Sequence, residues 1–251
     1  MAKNPFTNRI GGEADWLNSC SPYRMIEYIV QSTTRTLERY QADSRLFRLF
    51  ACAVARMVIE RQQTTHVDLL KCVKKGEDYA CGITDPRALA DARHYVNVTY
   101  PEPPAGISVL GRDLTIEACV SPERFDPFSP VTLTCGQRYA IPPGVRGEEY
   151  FDPVIAIIRD IWGNPFHQFP VKVVKGWQLW QDTTIARMAR TMYDNRDYAS
   201  LPILGDALEE AGCSDPTIIE HCRGPGPHYL GCWVLDMLTV GTTHDVTSPI
   251  L

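Results

Sequence analysis

Apolar residues recur along most of this 251-residue chain at intervals of three and four, the spacing of one face of an α-helix. Met25, Ile26, Ile29 and Val30 follow Ser21-Pro22, a residue pair suited to an N-cap and first helical position. A second helix is expected to open at Asp43 or Ser44. Its apolar face would carry Leu46, Leu49, Phe50, Ala53, Val54, Met57 and Val58, with Arg45, Arg48 and Arg56 flanking that face and their heads in water. Thr65 with Asp68 resembles a capping box, introducing a helix whose inward side would hold Val67, Leu70, Val73 and Ala80, stopped by Gly82. Asp85-Pro86 caps a fourth helix through Leu89, Ala92 and Tyr95.

Between Val98 and Tyr150 the periodicity fails. Eight of the 19 prolines fall there, which excludes long helices. Residues 107–110 and 131–134 read as short strands between turns, so the segment is expected to be an irregular or short-stranded arm.

Helical spacing returns at Asp152-Pro153 with Val154, Ile155, Ile157, Ile158, Ile161 and Trp162, and Gly163 followed by Asn164-Pro165 ends it. Asp182 or Thr183 would cap a helix bearing Ile185, Met188, Ala189 and Met192. Pro202 starts another, with Leu204, Ala207, Leu208 and Ala211 inward and Gly212 as its stop. Asp215-Pro216 opens a short helix to about Cys222, Gly224-Pro225-Gly226-Pro227 breaks the chain, and 229–238 forms the last helix. The expected fold is therefore mainly α: a bundle-like globular protein of N-terminal helices (13–97), a Pro-rich insertion (98–150), a C-terminal helical module (151–240) packed with the first as one unit, and a tail (241–251).

Composition narrows the partners. A net charge of −5 and a pI near 5.7 oppose general attraction to nucleic acid or anionic membrane, although Lys71, Lys74 and Lys75 form a small basic cluster. No run approaches the roughly 18 apolar residues of a membrane span, and the polar first twelve residues lack a signal-peptide core. A soluble, cytoplasmic protein is the expectation.

Nine cysteines, an odd number in scattered apolar contexts, do not form a secreted disulfide framework; most are expected to be small buried hydrophobes. The densest candidate chemistry is Cys213, His221, Cys222, His228 and Cys232, all zinc-ligand types. The spacing opposes a metal: there is no Cys-x-x-Cys pair, and on a helix the adjacent His221 and Cys222 would point about 100° apart. Buried thiols and turn-associated histidines, with no cofactor, are the simpler reading. A nucleophilic thiol at Cys222 or Cys232, activated by His228, would need an electropositive opening and an oriented base, neither visible in sequence. Gly224-Pro225-Gly226-Pro227 lacks a phosphate-loop pattern, and its prolines delete amide donors. Carboxylate pairs occur at Glu148-Glu149 and Glu209-Glu210; helix neighbours diverge, so the second pair reads as a solvated face rather than acid/base machinery. Trp162, Trp177, Trp180 and Trp233 read as core anchors, and Arg223 as a donor to helix-end carbonyls.

The turn Asn164-Pro165-Phe166, the helix end Ala207 to Gly212, the break Gly224 to His228 and the segment Gly231 to Val234 resemble a module of uncharacterised proteins from large-genomed environmental bacteria. Asp15-Trp16-Leu17 and Arg48 to Ala53 are similar to the opening helices of the same family, so the likeness covers over half of the chain; the Pro-rich middle departs from it. The resemblance implies no activity and no catalytic residue. Its recurrence in many copies per genome implies a recognition or scaffolding element.

The expected function is thus non-enzymatic binding or scaffolding, with protein as the partner. Two alternatives stand beside it: a small metal- or thiol-dependent enzyme at the Cys/His cluster, and a structural subunit of a larger assembly.

Overall fold

Capping chemistry and apolar spacing place ten α-helices, and no strand, among the described residues of the computed structural model, which are 10–33, 37–61, 67–102 and 147–239. The mainly helical class expected from periodicity is the one observed. The expected strands at 107–110 and 131–134, most of the Pro-rich arm, Thr65 and the tail lie outside those residues. Among the described residues no helix is long and apolar enough to cross a membrane.

The chain divides between Arg159 and Asp160 into two compact units. In the first, α1 (Glu13–Leu17) buries Trp16, whose ring meets Tyr28 of α2 (Pro22–Thr33) at 6.1 Å. Met25, Ile26, Ile29 and Val30 of α2 are all buried, as their spacing predicts. Helix α3 (Leu37–Arg61) passes through Asp43 and Ser44 without a break, so the proposed cap there is not used. Local propensity allowed a start at that point, but the flanking residues are themselves helical.

The arginines of α3 also differ from expectation. Arg48 is only 2% exposed and lies over the Tyr79 ring at 5.2 Å, Arg45 Nε donates to the Ala80 carbonyl (3.1 Å), and Arg56 grips Glu77 through two nitrogens. Their partners all sit on α4 (Val67–Ala80), which packs against α3 and supplies acceptors that one helix's pattern cannot reveal. The inward face of α4 is Leu69, Cys72, Val73 and Gly76; Val67 is exposed and Leu70 half-buried, so the face is rotated from the one expected. Lys71 pairs with Asp68 and Lys74 with Asp78, which dissolves the supposed basic cluster. Helix α5 (Pro86–Thr99) starts as predicted, with Asp85 accepting from the Ala88 amide at 3.0 Å. Val96 rather than Tyr95 completes its buried side, and the Tyr95 hydroxyl reaches Asp68 in solvent.

Helix α6 (Gly147–Trp162) begins before the expected Asp152-Pro153 and keeps Pro153 inside. Its apolar run Val154, Ile155, Ile157, Ile158 and Ile161 is buried, and Gly163 at φ +60 ends it.

The second unit follows. Helix α7 (Val171–Asn195) is interrupted at Trp180–Thr183, where Gln181, Asp182 and Thr183 adopt left-handed backbone. The expected start near Asp182 thus marks a real break, after which Ile185, Ala189 and Met192 are buried. A 3₁₀ turn (Tyr198–Ser200) leads into α8 (Leu201–Glu210), which buries Leu201, Leu204 and Leu208 and ends before Gly212 at φ +86. Helix α9 (Pro216–Arg223) is capped by Asp215, whose Oδ1 accepts from the Thr217 amide at 2.9 Å. The last helix, α10 (Trp233–Thr239), starts at Trp233 instead of Tyr229 and packs against α7.

Candidate functional site: a buried His/Cys/Asp cluster

Three positions in the second unit are set by ordinary helix grammar. Asp160 lies near the C-terminus of α6, His221 in the last turn of α9, and Cys232 just before α10. The fourth, His228, follows the Gly224–Pro227 break, which carries the chain from α9 back toward Asp160. There the Asp160 carboxylate holds the loop down: Oδ1 is 2.8 Å from His228 Nδ1, and Oδ2 accepts the Tyr229 backbone N–H at 2.7 Å. That anchor ties the segment before α10 to a side chain far away in sequence. The Tyr229 amide, which has no carbonyl of its own helix to meet, is satisfied by that carboxylate.

His221 completes the arrangement. Its Nε2 lies 3.4 Å from Asp160 Oδ1 and 3.1 Å from Cys232 Sγ, and its ring meets the His228 ring edge-on with centroids 4.8 Å apart. The Trp233 indole N–H points to the other nitrogen, Nδ1, at 3.3 Å. Trp233 is itself held by a parallel stack on Phe169 (5.9 Å) and by close approach to Gly163. A Cβ at Gly163 would sit 3.0 Å from the indole, so that glycine serves both its left-handed φ and the space for Trp233.

The four side chains offer one ligand atom each, and all four atoms lie within 4.8 Å of one another. Asp160 and Cys232 are buried, and only 17% of the His221 side chain and 8% of that of His228 meet solvent. His228 Nε2 is buried without a hydrogen-bond partner. Burial pushes the Asp160 carboxyl up, but hydrogen bonds from His221 and His228 outweigh it and hold the group below the usual carboxylate range. The Cys232 thiol moves the other way: burial, reinforced by the Asp160 charge, pushes it well above the ordinary value.

Of the five residues singled out by type, the structure brings together His221, His228 and Cys232 and leaves out two. Cys222 faces α8 instead, fully buried with its Cβ against Gly205, and burial raises its thiol to about 12. Cys213 is buried at the end of α8, its amide bonded to the Leu208 carbonyl. The divergence of adjacent helical residues separates Cys222 from His221, as the sequence implied.

Asp160 is the residue that sequence reasoning did not assign to the site. It is 61 residues from His221 in the chain, and its only local signal is an acidic position, beside Arg159, in a helix end rich in isoleucine (Ile157, Ile158, Ile161). Arg223 is also reassigned. Its guanidinium pairs with Asp206 and Glu209 of α8 rather than with helix-end carbonyls, because those carboxylates lie across the α8–α9 contact.

The geometry constrains the chemistry. In a nucleophilic thiol–imidazole pair, a carboxylate orients the histidine through the nitrogen remote from the thiol. Here Asp160 and Cys232 share the Nε2 side of His221 while the indole N–H occupies Nδ1, and the thiol is sealed from solvent. That is the wrong order for activating sulfur. It is a suitable order for four donors facing a common centre. Compared with family models, curated proteins and solved structures, the chain matches none.

Proposed function

We propose that this chain is a non-enzymatic binding module whose partner is a protein, and that the first half of α7 is its contact element. The observation that carries this reading is the exposure of apolar side chains there: Leu179 is 68% exposed, Val171 45% and Val173 42%. In the stretch from Val171 to Trp180 only Trp177 and Gln178 are buried, with Gln178 Nε2 donating to the Met237 carbonyl at 3.0 Å. Helices normally turn apolar side chains inward, so an arm fixed at two positions with valines and a leucine in water fits burial by a partner. The left-handed turn at Gln181–Thr183 sets the arm off from the rest of α7, and such strain is often kept where function requires it.

The test uses the whole chain as bait beside a Val173→Glu/Leu179→Glu double variant of matched helical content. A partner protein retained at stoichiometric level by the wild type and lost by the variant is the expected result. Equal retention on both baits, or no stoichiometric partner on either, overturns the reading. Self-association through the same arm would register as a multiple of the 28.2 kDa chain mass, abolished by the same two substitutions.

The alternative of a thiol-dependent enzyme has less support, because Cys232 and Cys222 are both buried and held protonated. A metal-dependent enzyme needs a coordination position open to substrate. The burial of the Asp160 cluster favours a role in holding the fold.

A further inference from the structure

We propose that Asp160, His221, His228 and Cys232 form a structural zinc site that cross-links α6, α9 and the start of α10. Three observations carry it. The donor set is one sulfur, two imidazoles and one carboxylate, a combination suited to tetrahedral zinc and poorly suited to magnesium or calcium. The spacing is close to what the metal needs: ligand atoms around tetrahedral zinc lie about 3.3–3.7 Å apart given its usual bond lengths; here His221 Nε2 is 3.4 Å from Asp160 Oδ1 and 3.1 Å from Cys232 Sγ, a contact that opens by a few tenths of an ångström on binding, and all four ligand atoms lie within 4.8 Å of one another. Finally, the hydrogen-bonded arrangement leaves His228 Nε2 buried and unpaired, so hydrogen bonding alone does not satisfy the cluster.

All four positions are supplied by protein and the site is enclosed, which makes the role structural rather than catalytic. Binding converts the Cys232 thiol to a thiolate and releases its proton to solvent, so metal uptake is accompanied by proton release. It also carries a specific local consequence. A neutral His221 that coordinates through Nε2 must hold its hydrogen on Nδ1, where the Trp233 indole N–H now donates. The two N–H groups cannot share that line. Zinc therefore displaces the indole contact, and Trp233 becomes a reporter of the site. The inference is independent of the α7 arm, whose exposed residues are not ligands.

The experiment takes full-length protein, strips it with chelator and titrates it with zinc alone and with cobalt(II) alone. One zinc per chain, retained through gel filtration, is expected. The cobalt form should show the intense visible bands of a tetrahedral site and a thiolate-to-cobalt charge-transfer band. Cys232→Ser should lose that charge-transfer band while Cys213→Ser keeps it. Zinc should change tryptophan emission in the wild type and not in Trp233→Phe. His228→Gln, which retains the thiolate, should weaken binding at least about tenfold, since even outer-shell partners of a metal contribute 10–100-fold; it serves as the deciding variant if Cys232→Ser fails to fold. Weak octahedral cobalt bands in folded wild-type protein, an unchanged charge-transfer band in folded Cys232→Ser, or wild-type affinity in His228→Gln would each overturn the site.

Discussion

Each unit of this protein buries a carboxylate, and the two neutralise it by different means. In the first, Glu77 of α4 meets Arg56 of α3 with both carboxylate oxygens within 3.1 Å of guanidinium nitrogens. In the second, Asp160 meets two imidazoles and a backbone amide beside a thiol. The difference follows from what faces each group. Glu77 looks across a regular helix pair, where long cationic side chains can reach and keep part of their length in water. Asp160 faces an irregular segment whose amides have no helical partner and whose Pro225 and Pro227 have no N–H to offer. A carboxylate between helices finds a cation. A carboxylate over a loop becomes the loop's anchor, and here the rings it gathers are metal-ligand types.

The sharpest way to break this comparison is to remove both acids. Asp160→Ala strands the Tyr229 amide and the His228 ring in a buried place. Two charge-assisted bonds at about 1.5–3 kcal/mol each give an expected loss of roughly 3–6 kcal/mol, read as a lower urea midpoint. Gly163→Ala comes next, at about 2–3 kcal/mol, because it adds left-handed strain to overpacking against the Trp233 indole. Its near-ultraviolet circular dichroism should change with it, since the indole must move. Glu77→Ala should cost only about 1–2 kcal/mol. The Arg56 side chain keeps 26% exposure and a second acid, Glu60, at 3.8 Å, so it is not left stranded. Equal losses for Asp160→Ala and Glu77→Ala would refute the distinction between anchor and ion pair.

The smallest effect has the opposite sign. Asp182→Gly at φ +55 relieves about 1–2 kcal/mol of left-handed strain, offset by about 0.4–1 kcal/mol of unfolded-state entropy. A net stabilisation near 0.5 kcal/mol in thermal unfolding is expected. A loss instead would mean that the Asp182 side chain supports the turn.

Helix boundaries were legible where the signal is local. Ser21-Pro22, Asp85-Pro86 and Asp215-Pro216 begin helices α2, α5 and α9, and Gly82, Gly163 and Gly212 follow the ends of others. Each rests on one cap or one backbone angle that neighbouring residues define. Errors arose where a second element decides. Arg48 looked like a solvent-facing arginine until Tyr79 and α4 covered it. The α4 face rotated because α3 and α5 both pack on that helix and share its surface. Residues 229–232 looked helical, but Asp160 anchors His228 and Tyr229 and the last helix starts only at Trp233.

The sequence by itself determined that the described residues are mainly helical, where α2, α5, α8 and α9 start and where Gly82, Gly163 and Gly212 stop others, and that Cys222 and His221 must part company on their helix. Those outcomes depend on periods and caps a few residues long. Tertiary structure alone decided that His221, His228 and Cys232 converge, and that Asp160, 61 residues before the first of them, lies at their centre. No local rule links such positions. Their meeting depends on how the end of α6, the last turn of α9 and the loop into α10 are packed, which is a property of the assembled unit.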